Sequence, residues 1–294
     1  MLGQTKFATD GEICDKVELA IKRLKAFEPP EGYFLAFSGG KDSQCVYHLA
    51  EMAGVKFDAH YSITSVDPPE LIRFIKKNYP SVKFEHKNDK DGKPITMWTL
   101  IPKRMIPPTR NIRYCCEQLK ECNGEGRFTV TGVRAAESRN RKKNQGVITV
   151  HDAGKKFQRT LEEEAINFTP TPKGGVVLNY DNDEKRRMTE YCIRTGRAIL
   201  NPIIDWEDDD VWEFLNMNGI DHCCLYDEGF KRLGCIGCPL GRGQKMELER
   251  WPAYKKLYER AFERMIEARK KAGLPCESWK TTQDVFDWWL NGGC

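Results

Sequence analysis

The hexapeptide Ser38-Gly39-Gly40-Lys41-Asp42-Ser43 constrains this chain more than any other feature. It follows an apolar run, Tyr33-Phe34-Leu35-Ala36-Phe37, and precedes residues at helical spacing, Cys45, Val46, Leu49 and Met52. A strand, a glycine turn and a helix start together make an anion site. The helix N-terminus supplies unpaired N–H groups and the positive end of a dipole, and glycine lets the backbone approach oxygen atoms closely. Ser38 and Ser43 add hydroxyls and Lys41 adds charge. Asp42 could orient a loop N–H or help hold Mg²⁺. The loop is not a Walker A sequence, because Leu35 stands where that pattern needs glycine and Asp42 where it needs Ser or Thr. A dinucleotide fingerprint is excluded too, since no Gly-x-Gly is present at the loop. The plainer alternative is a turn that merely joins strand to helix; the full hexapeptide in its strand–helix context favours the anion site.

The rest of the chain alternates in the same way. The spacing of Val17, Ala20, Ile21, Leu24 and Phe27 predicts a helix over 10–27, stopped by Pro29-Pro30. Further strands are predicted at 57–63, 82–85 and 128–131, and helices at 43–53, 69–78 and 207–218. One long amphipathic helix is predicted over 245–271, from Trp251, Tyr254, Tyr258, Phe262, Met265 and Ile266. Residues 140–185, with Gly and Pro clusters and mixed charge, read as an irregular insertion with short strands. The expectation is an α/β fold: a mostly parallel sheet with helices on both faces, plus a C-terminal cysteine-containing helical region. Its parts are an N-terminal helix (1–29), a loop-bearing domain (30–220, including the insertion) and a cysteine knuckle with C-terminal helices (221–294). Sheets of this kind bind ligands beyond the carboxyl ends of their strands, where the loop falls.

Charge and cysteine content set the context. The net charge of +4 over 294 residues does not demand a nucleic-acid partner. Arg139, Arg141, Lys142 and Lys143 could still touch a nucleic-acid backbone. No apolar run is long enough to span a bilayer, and Met1–Asp10 lacks a secretory core, so the expectation is a cytoplasmic protein without membrane attachment. Twelve cysteines then point to reduced thiols, metal ligation or redox chemistry rather than a disulfide framework. Cys115-Cys116 and Cys235-Ile236-Gly237-Cys238-Pro239 supply two thiol pairs, a set that suits Zn²⁺ or an iron–sulfur cluster. Adjacent cysteines diverge and chelate one ion awkwardly, which favours a cluster. Cys223-Cys224 could replace one ligand, whereas Cys14, Cys45, Cys122, Cys192 and Cys276 read as packing residues.

The loop resembles that of the PP-loop (N-type) ATP pyrophosphatases. Gly132-Val133-Arg134-Ala135-Ala136-Glu137-Ser138-Arg139-Asn140-Arg141 is similar to the Gly-x-Arg-x-x-Glu-Ser-x-x-Arg segment of the phosphoadenosine phosphosulfate (PAPS) reductase-like family. Pro202-Ile203-Ile204-Asp205-Trp206 with Asp210-Val211-Trp212 looks like its Pro-Ile-x-x-Trp…Asp-Val-Trp segment. Together the matches cover roughly residues 30–240. The resemblance implies an adenine nucleotide alpha hydrolase-like fold. It implies that the loop (Ser38 to Ser43) with Gly132 grips the phosphates, and that Arg134, Ser138 and Arg141 lie near the anionic end of the substrate. Asp67, at the end of the second strand, is where the family approaches nucleotide. The thiol set resembles the cysteine pair plus Cys-x-x-Cys that binds [4Fe–4S] in adenylylsulfate reductases, and Lys120 matches the lysine after that pair.

Two departures matter. The Glu-Cys-Gly-Leu-His segment of the sulfonucleotide reductases is absent, so a catalytic thiol would have to be Cys294 after Gly292-Gly293. The loop also keeps the complete form of enzymes that cleave ATP, as in the DNA phosphorothioation proteins of the family. The first expectation is therefore an enzyme of sulfur metabolism that adenylates a substrate for sulfur transfer. It would use ATP, Mg²⁺ and a [4Fe–4S] cluster, with Lys41, Asp42 and Arg134 at the reaction. The alternatives are a thiol-dependent reductase of PAPS or adenylylsulfate and a non-catalytic nucleotide-binding subunit. Partners consistent with these readings are an adenine nucleotide and a sulfur donor such as a cysteine desulfurase or thioredoxin-like protein; oligomerisation is left open.

Overall fold

A computed structural model of the chain describes residues 6–9, 12–121, 124, 126–151, 155–163, 168–172, 175–178, 197–241 and 243–292. It divides into two compact units. The first comprises residues 1–61, 74–83 and 124–228, and the second residues 62–73, 84–123 and 229–294. The units thus interleave along the chain, whereas the sequence reading drew linear boundaries after residues 29 and 220.

The first unit is built on a mixed sheet. β3 (Tyr33–Ala36) pairs in parallel with β4 (Phe57–Ser62) and with β6 (Thr129–Val130), and β6 pairs in parallel with β10 (Arg197–Leu200). Tyr33 and Leu35 are fully buried, as an unbroken apolar run requires at the centre of a parallel sheet. Beyond β10 the direction reverses. β7 (Ile148–His151) is antiparallel to β10 and to β9 (Val176–Leu178), which pairs with β8 (Thr169–Pro170). The strand order is β5-β4-β3-β6-β10-β7-β9-β8, with β5 at Lys83–Glu85. The segment read as an irregular insertion with short strands supplies β7, β8 and β9 to the sheet, and all three β9 residues are buried.

Helices α1 (Lys16–Ala26), α2 (Lys41–Ala53) and α8 (Asp208–Met217) pack in series, α1 on α2 and α2 on α8. The predicted helix over 10–27 begins only at Lys16, because β1 (Lys6–Thr9) and β2 (Glu12–Asp15) form an antiparallel hairpin before it. The first unit also carries α6 (Arg139–Asn144) and α7 (Lys155–Glu163). The segment 69–78 forms the predicted helix, α3 (Pro69–Asn78).

The second unit is mainly helical. α4 (Met97–Arg104) opens with a reciprocal capping box between Thr96 and Thr99. α5 (Tyr114–Leu119) carries the cysteine pair. The predicted helix over 245–271 is two helices, α9 (Gln244–Arg250) and α10 (Pro252–Lys271). Pro252 lacks the N–H that would continue α9 but suits the first turn of α10. α11 (Thr282–Leu290) follows. α10 packs on α4 and on α11, with Phe262, Tyr258 and Trp289 buried between them. No helix among the described residues is long and apolar enough to cross a membrane.

Candidate functional site

The loop in the first unit is braced by its own side chains. The backbone turns left-handed at Gly39 (φ 71°), and Gly40 caps α2 in an extended conformation. Ser43 Oγ accepts from the Ser38 N–H at 3.1 Å and donates to the Gly40 carbonyl at 2.9 Å, closing the turn across its base. The Lys41 N–H, one of the amides at the helix start, donates to the Tyr226 hydroxyl at 2.9 Å. Gly132 lies against this turn: a Cβ there would stand 2.7 Å from the carbonyl carbon and oxygen of Asp42. Only glycine admits that approach.

A ring of four charges sits over the loop. The Lys41 ammonium and the Arg134 guanidinium are both buried, with relative exposures of 5% and 2%. Arg134 Nε donates to Asp42 Oδ1 at 2.6 Å, and its Nη1 reaches the Trp206 carbonyl at 3.2 Å. Lys41 Nζ (2.7 Å) and Arg134 Nη2 (2.5 Å) both donate to one oxygen of Asp208. The hydrogen bond from Lys41 first, and that from Arg134, hold the Asp208 carboxyl below its ordinary range. Burial opposes the charge on Arg134, but Asp42 and Asp208 keep it firmly protonated. Buried cations need anionic partners. The site can accept anionic oxygens at a helix N-terminus, with two cations of fixed position.

The structure thus brings Ser38 to Ser43, Gly132 and Arg134 together. Ser138 and Arg141 follow Arg134 in the chain, and Glu137 links them to it by accepting from the Arg134 N–H at 3.2 Å. Ser138 caps α6, accepting from the Arg141 N–H at 3.1 Å, and Arg141 pairs with Glu137. Asp67 belongs to the second unit, where both its oxygens accept from Thr64, from the N–H at 2.8 Å and the hydroxyl at 2.7 Å. Asp208 and Tyr226 were not anticipated. Their bonds to Lys41 span 167 and 185 residues, and no local pattern announces them.

The second unit gathers the thiols. Cys115, Cys116, Cys235 and Cys238 line one cavity together with Thr64, Lys120 and Tyr258. Cys223 and Cys224 belong to the first unit and do not line it. The knuckle is clamped by α9. Glu247 accepts from the Gly237 N–H at 2.8 Å, and Gln244 Nε2 donates to the Gly237 carbonyl at 3.1 Å. Gly237 has φ +71°, and a Cβ would meet the Trp289 and Tyr258 rings at 3.2 Å, so the turn is closed to other residues. A hydrogen bond from Cys115 first, then Arg113, lowers the Cys116 thiol to about 5, while that same bond and burial push Cys115 up. Negative charge at Cys235 above all, with Asp67 and Cys116, raises the Lys120 ammonium. The donor set is chemically that of a four-thiolate site with a cation beside it. The four sulfurs do not close on one point: among the described residues no three His, Cys, Asp or Glu side chains converge on a metal ion. Cys294 lies outside the described residues.

The model of the phosphoadenosine phosphosulfate reductase domain matches residues 32–240, a span that includes the loop, Arg134 and all four cavity cysteines. The chain belongs to this family. An uncharacterized protein of Methanocaldococcus jannaschii is 26% identical over 248 residues, 81% of this chain and 47% of that protein. An adenosine 5'-phosphosulfate reductase of Neisseria meningitidis serogroup B is 36% identical over 64 residues, 21% of this chain and 26% of that enzyme. The chain thus spans about half or less of the length of these curated relatives. Among solved structures, a phosphoadenylyl-sulfate reductase of Candida auris in complex with phosphate has a TM-score of 0.40 at 11% identity, covering 79% of this chain and 98% of that one.

Proposed function

We propose that the first unit binds ATP by its polyphosphate and adenylates a substrate in preparation for sulfur transfer. The observation that carries this reading is the pair of buried cations, Lys41 and Arg134, fixed at the N-terminus of α2. A substrate oxygen would attack the α-phosphorus, and the bond to the β-phosphate oxygen would break. Charge accumulates on the departing pyrophosphate, where Lys41, Arg134 and the α2 amides would meet it. Mg²⁺ would arrive on the nucleotide, as this ion prefers phosphate and water ligands, and Asp42 would be the loop carboxylate to meet it.

Cys115, Cys116, Cys235 and Cys238 would hold a [4Fe–4S] cluster. The reading is supported by the four cysteines lining one cavity, and by the adjacency of Cys115 and Cys116, whose diverging side chains suit several irons better than one zinc ion. When bound, the cluster supplies electrostatic or redox chemistry at sulfur. The chain's own contribution is the clamp of Gln244 and Glu247 on the knuckle and the charge of Lys120 and Arg113 beside the thiolates.

The test is purification without oxygen, iron and sulfide analysis, and an assay for pyrophosphate release from ATP. Iron and sulfide near four per chain, with release abolished by Lys41→Ala, are expected. No affinity for adenine nucleotide would end the loop reading, and absence of iron and sulfide would end the cluster reading. A second reading is favoured by the family match and by the named reductases: a thiol-dependent sulfonucleotide reductase. Sulfite release from PAPS or adenylylsulfate with a thiol donor, and none of pyrophosphate from ATP, would select it.

A further inference from the structure

Asp208 stands on the first turn of α8 and has a side chain 72% exposed. Even so, one of its oxygens takes hydrogen bonds from both buried cations of the loop, Lys41 at 2.7 Å and Arg134 at 2.5 Å. The main-chain donor of Lys41 is also engaged, by the Tyr226 hydroxyl at 2.9 Å. Three of the donors that would greet a phosphate are therefore already satisfied by acceptors from the same chain. The two carboxylates differ in their surroundings. Asp42 belongs to the loop itself and is only 27% exposed, whereas Asp208 can swing into water with little desolvation to undo.

We propose that Asp208 is an affinity-determining residue of the anion site, an internal competitor that holds the Lys41–Arg134 pair and is displaced when a phosphate oxygen takes its position. This rests on the loop being a phosphate site. Asp42 Oδ1 also takes hydrogen bonds from both cations, at 2.6 Å from Arg134 and 3.3 Å from Lys41, so neither is left without an anion when Asp208 departs; Asp208 competes for the donors a ligand needs and so raises the threshold an incoming anion must meet. A ligand rich in anionic oxygens, such as a pyrophosphate group, can replace the carboxylate on both cations at once. Every anion that needs the pair bears the same displacement, so removing the carboxylate should tighten them all by a common factor.

The experiment is titration calorimetry of the full chain with inorganic pyrophosphate, without divalent metal, for wild type, Asp208→Asn, Asp209→Asn and Lys41→Ala. Asp209, exposed in the same turn and outside the ring, controls for the general loss of one negative charge. Asp208→Asn should bind about ten-fold more tightly, equivalent to about 1.4 kcal/mol, while Asp209→Asn should change affinity by no more than about two-fold. Circular dichroism verifies that each variant is folded. Unchanged or weaker binding by Asp208→Asn overturns the proposal, as does an equal gain by Asp209→Asn. If neither wild type nor Asp208→Asn binds pyrophosphate, the loop reading itself fails, which is a different outcome from binding that Asp208 does not influence.

Discussion

Gly132 lies under the Asp42 carbonyl so closely that one added carbon would stand 2.7 Å from it. The strand end that carries Gly132 and the first turn of α2 are therefore in backbone contact, and the loop's shape depends on a residue far from it in sequence. Gly132→Ala should lower stability by about 1–3 kcal/mol through overpacking and weaken pyrophosphate binding as the turn shifts. Chemical denaturation and calorimetry on the same variant measure both; an alanine protein with wild-type stability and affinity would contradict the contact.

Arg134 has a second consequence. It bridges Asp42 and Asp208 from a buried position. Arg134→Met removes the cation and leaves Asp42 and Asp208 with Lys41 alone, so a loss of about 1–3 kcal/mol is expected. Arg134→Lys should restore only part of it, because an ammonium group cannot present the planar fork that reaches both carboxylates and the Trp206 carbonyl. Urea denaturation of the three proteins orders them wild type, lysine, methionine.

The acid limb of stability should report Asp208. Its carboxyl is held below the ordinary range by Lys41 and then Arg134. A carboxylate with a depressed folded pKa stabilises the native state above its unfolded value, near 3.9, and that contribution disappears as pH falls through the folded value. Wild type should therefore melt above Asp208→Asn at neutral pH, and the gap should close on acidification below about pH 4. A gap that persists to the lowest pH would show that the carboxylate is not paired as described.

At the thiol cavity, Cys116 ionises before Cys115, because Cys115 donates to it and Arg113 lies beside it. In metal-free protein at pH 7, iodoacetamide should therefore modify the Cys116 position faster than Cys115, read by peptide mass spectrometry. Cys115→Ser should keep Cys116 reactive, whereas Arg113→Ala should slow it several-fold, in line with the loss of a neighbouring cation. Equal rates at the two thiols would refute the asymmetry.

The sequence discloses what depends on neighbours in the chain. Leu71, Ile72, Phe74 and Ile75 place α3 at 69–78, and the loop with its flanking strand and helix is readable because all of its geometry is local. The 140–185 region is harder. β7 and β9 are short strands buried along most of their length, so they show no alternation, and their place beside β10 depends on partners elsewhere in the chain. The break at Trp251–Pro252 hides in continuous helical spacing, since the apolar face of α10 begins while α9 is still running. Asp208 looks in sequence like one of three acids at a helix start, where a dipole explains it well enough. Its bond to Lys41 exists only once the sheet has brought the two helices together.

The alternation of the chain between its two units bears on how it is made. Cys115 and Cys116 leave the ribosome well before Cys235 and Cys238, and the α10 and α11 segments that bury the knuckle come later still. At roughly 5–20 residues per second, the early thiols wait for many seconds without their mates. During that interval they are open to oxidation, mispairing or scavenging of stray metal, so nascent chains would depend on the reducing power of their surroundings before they could depend on their own fold.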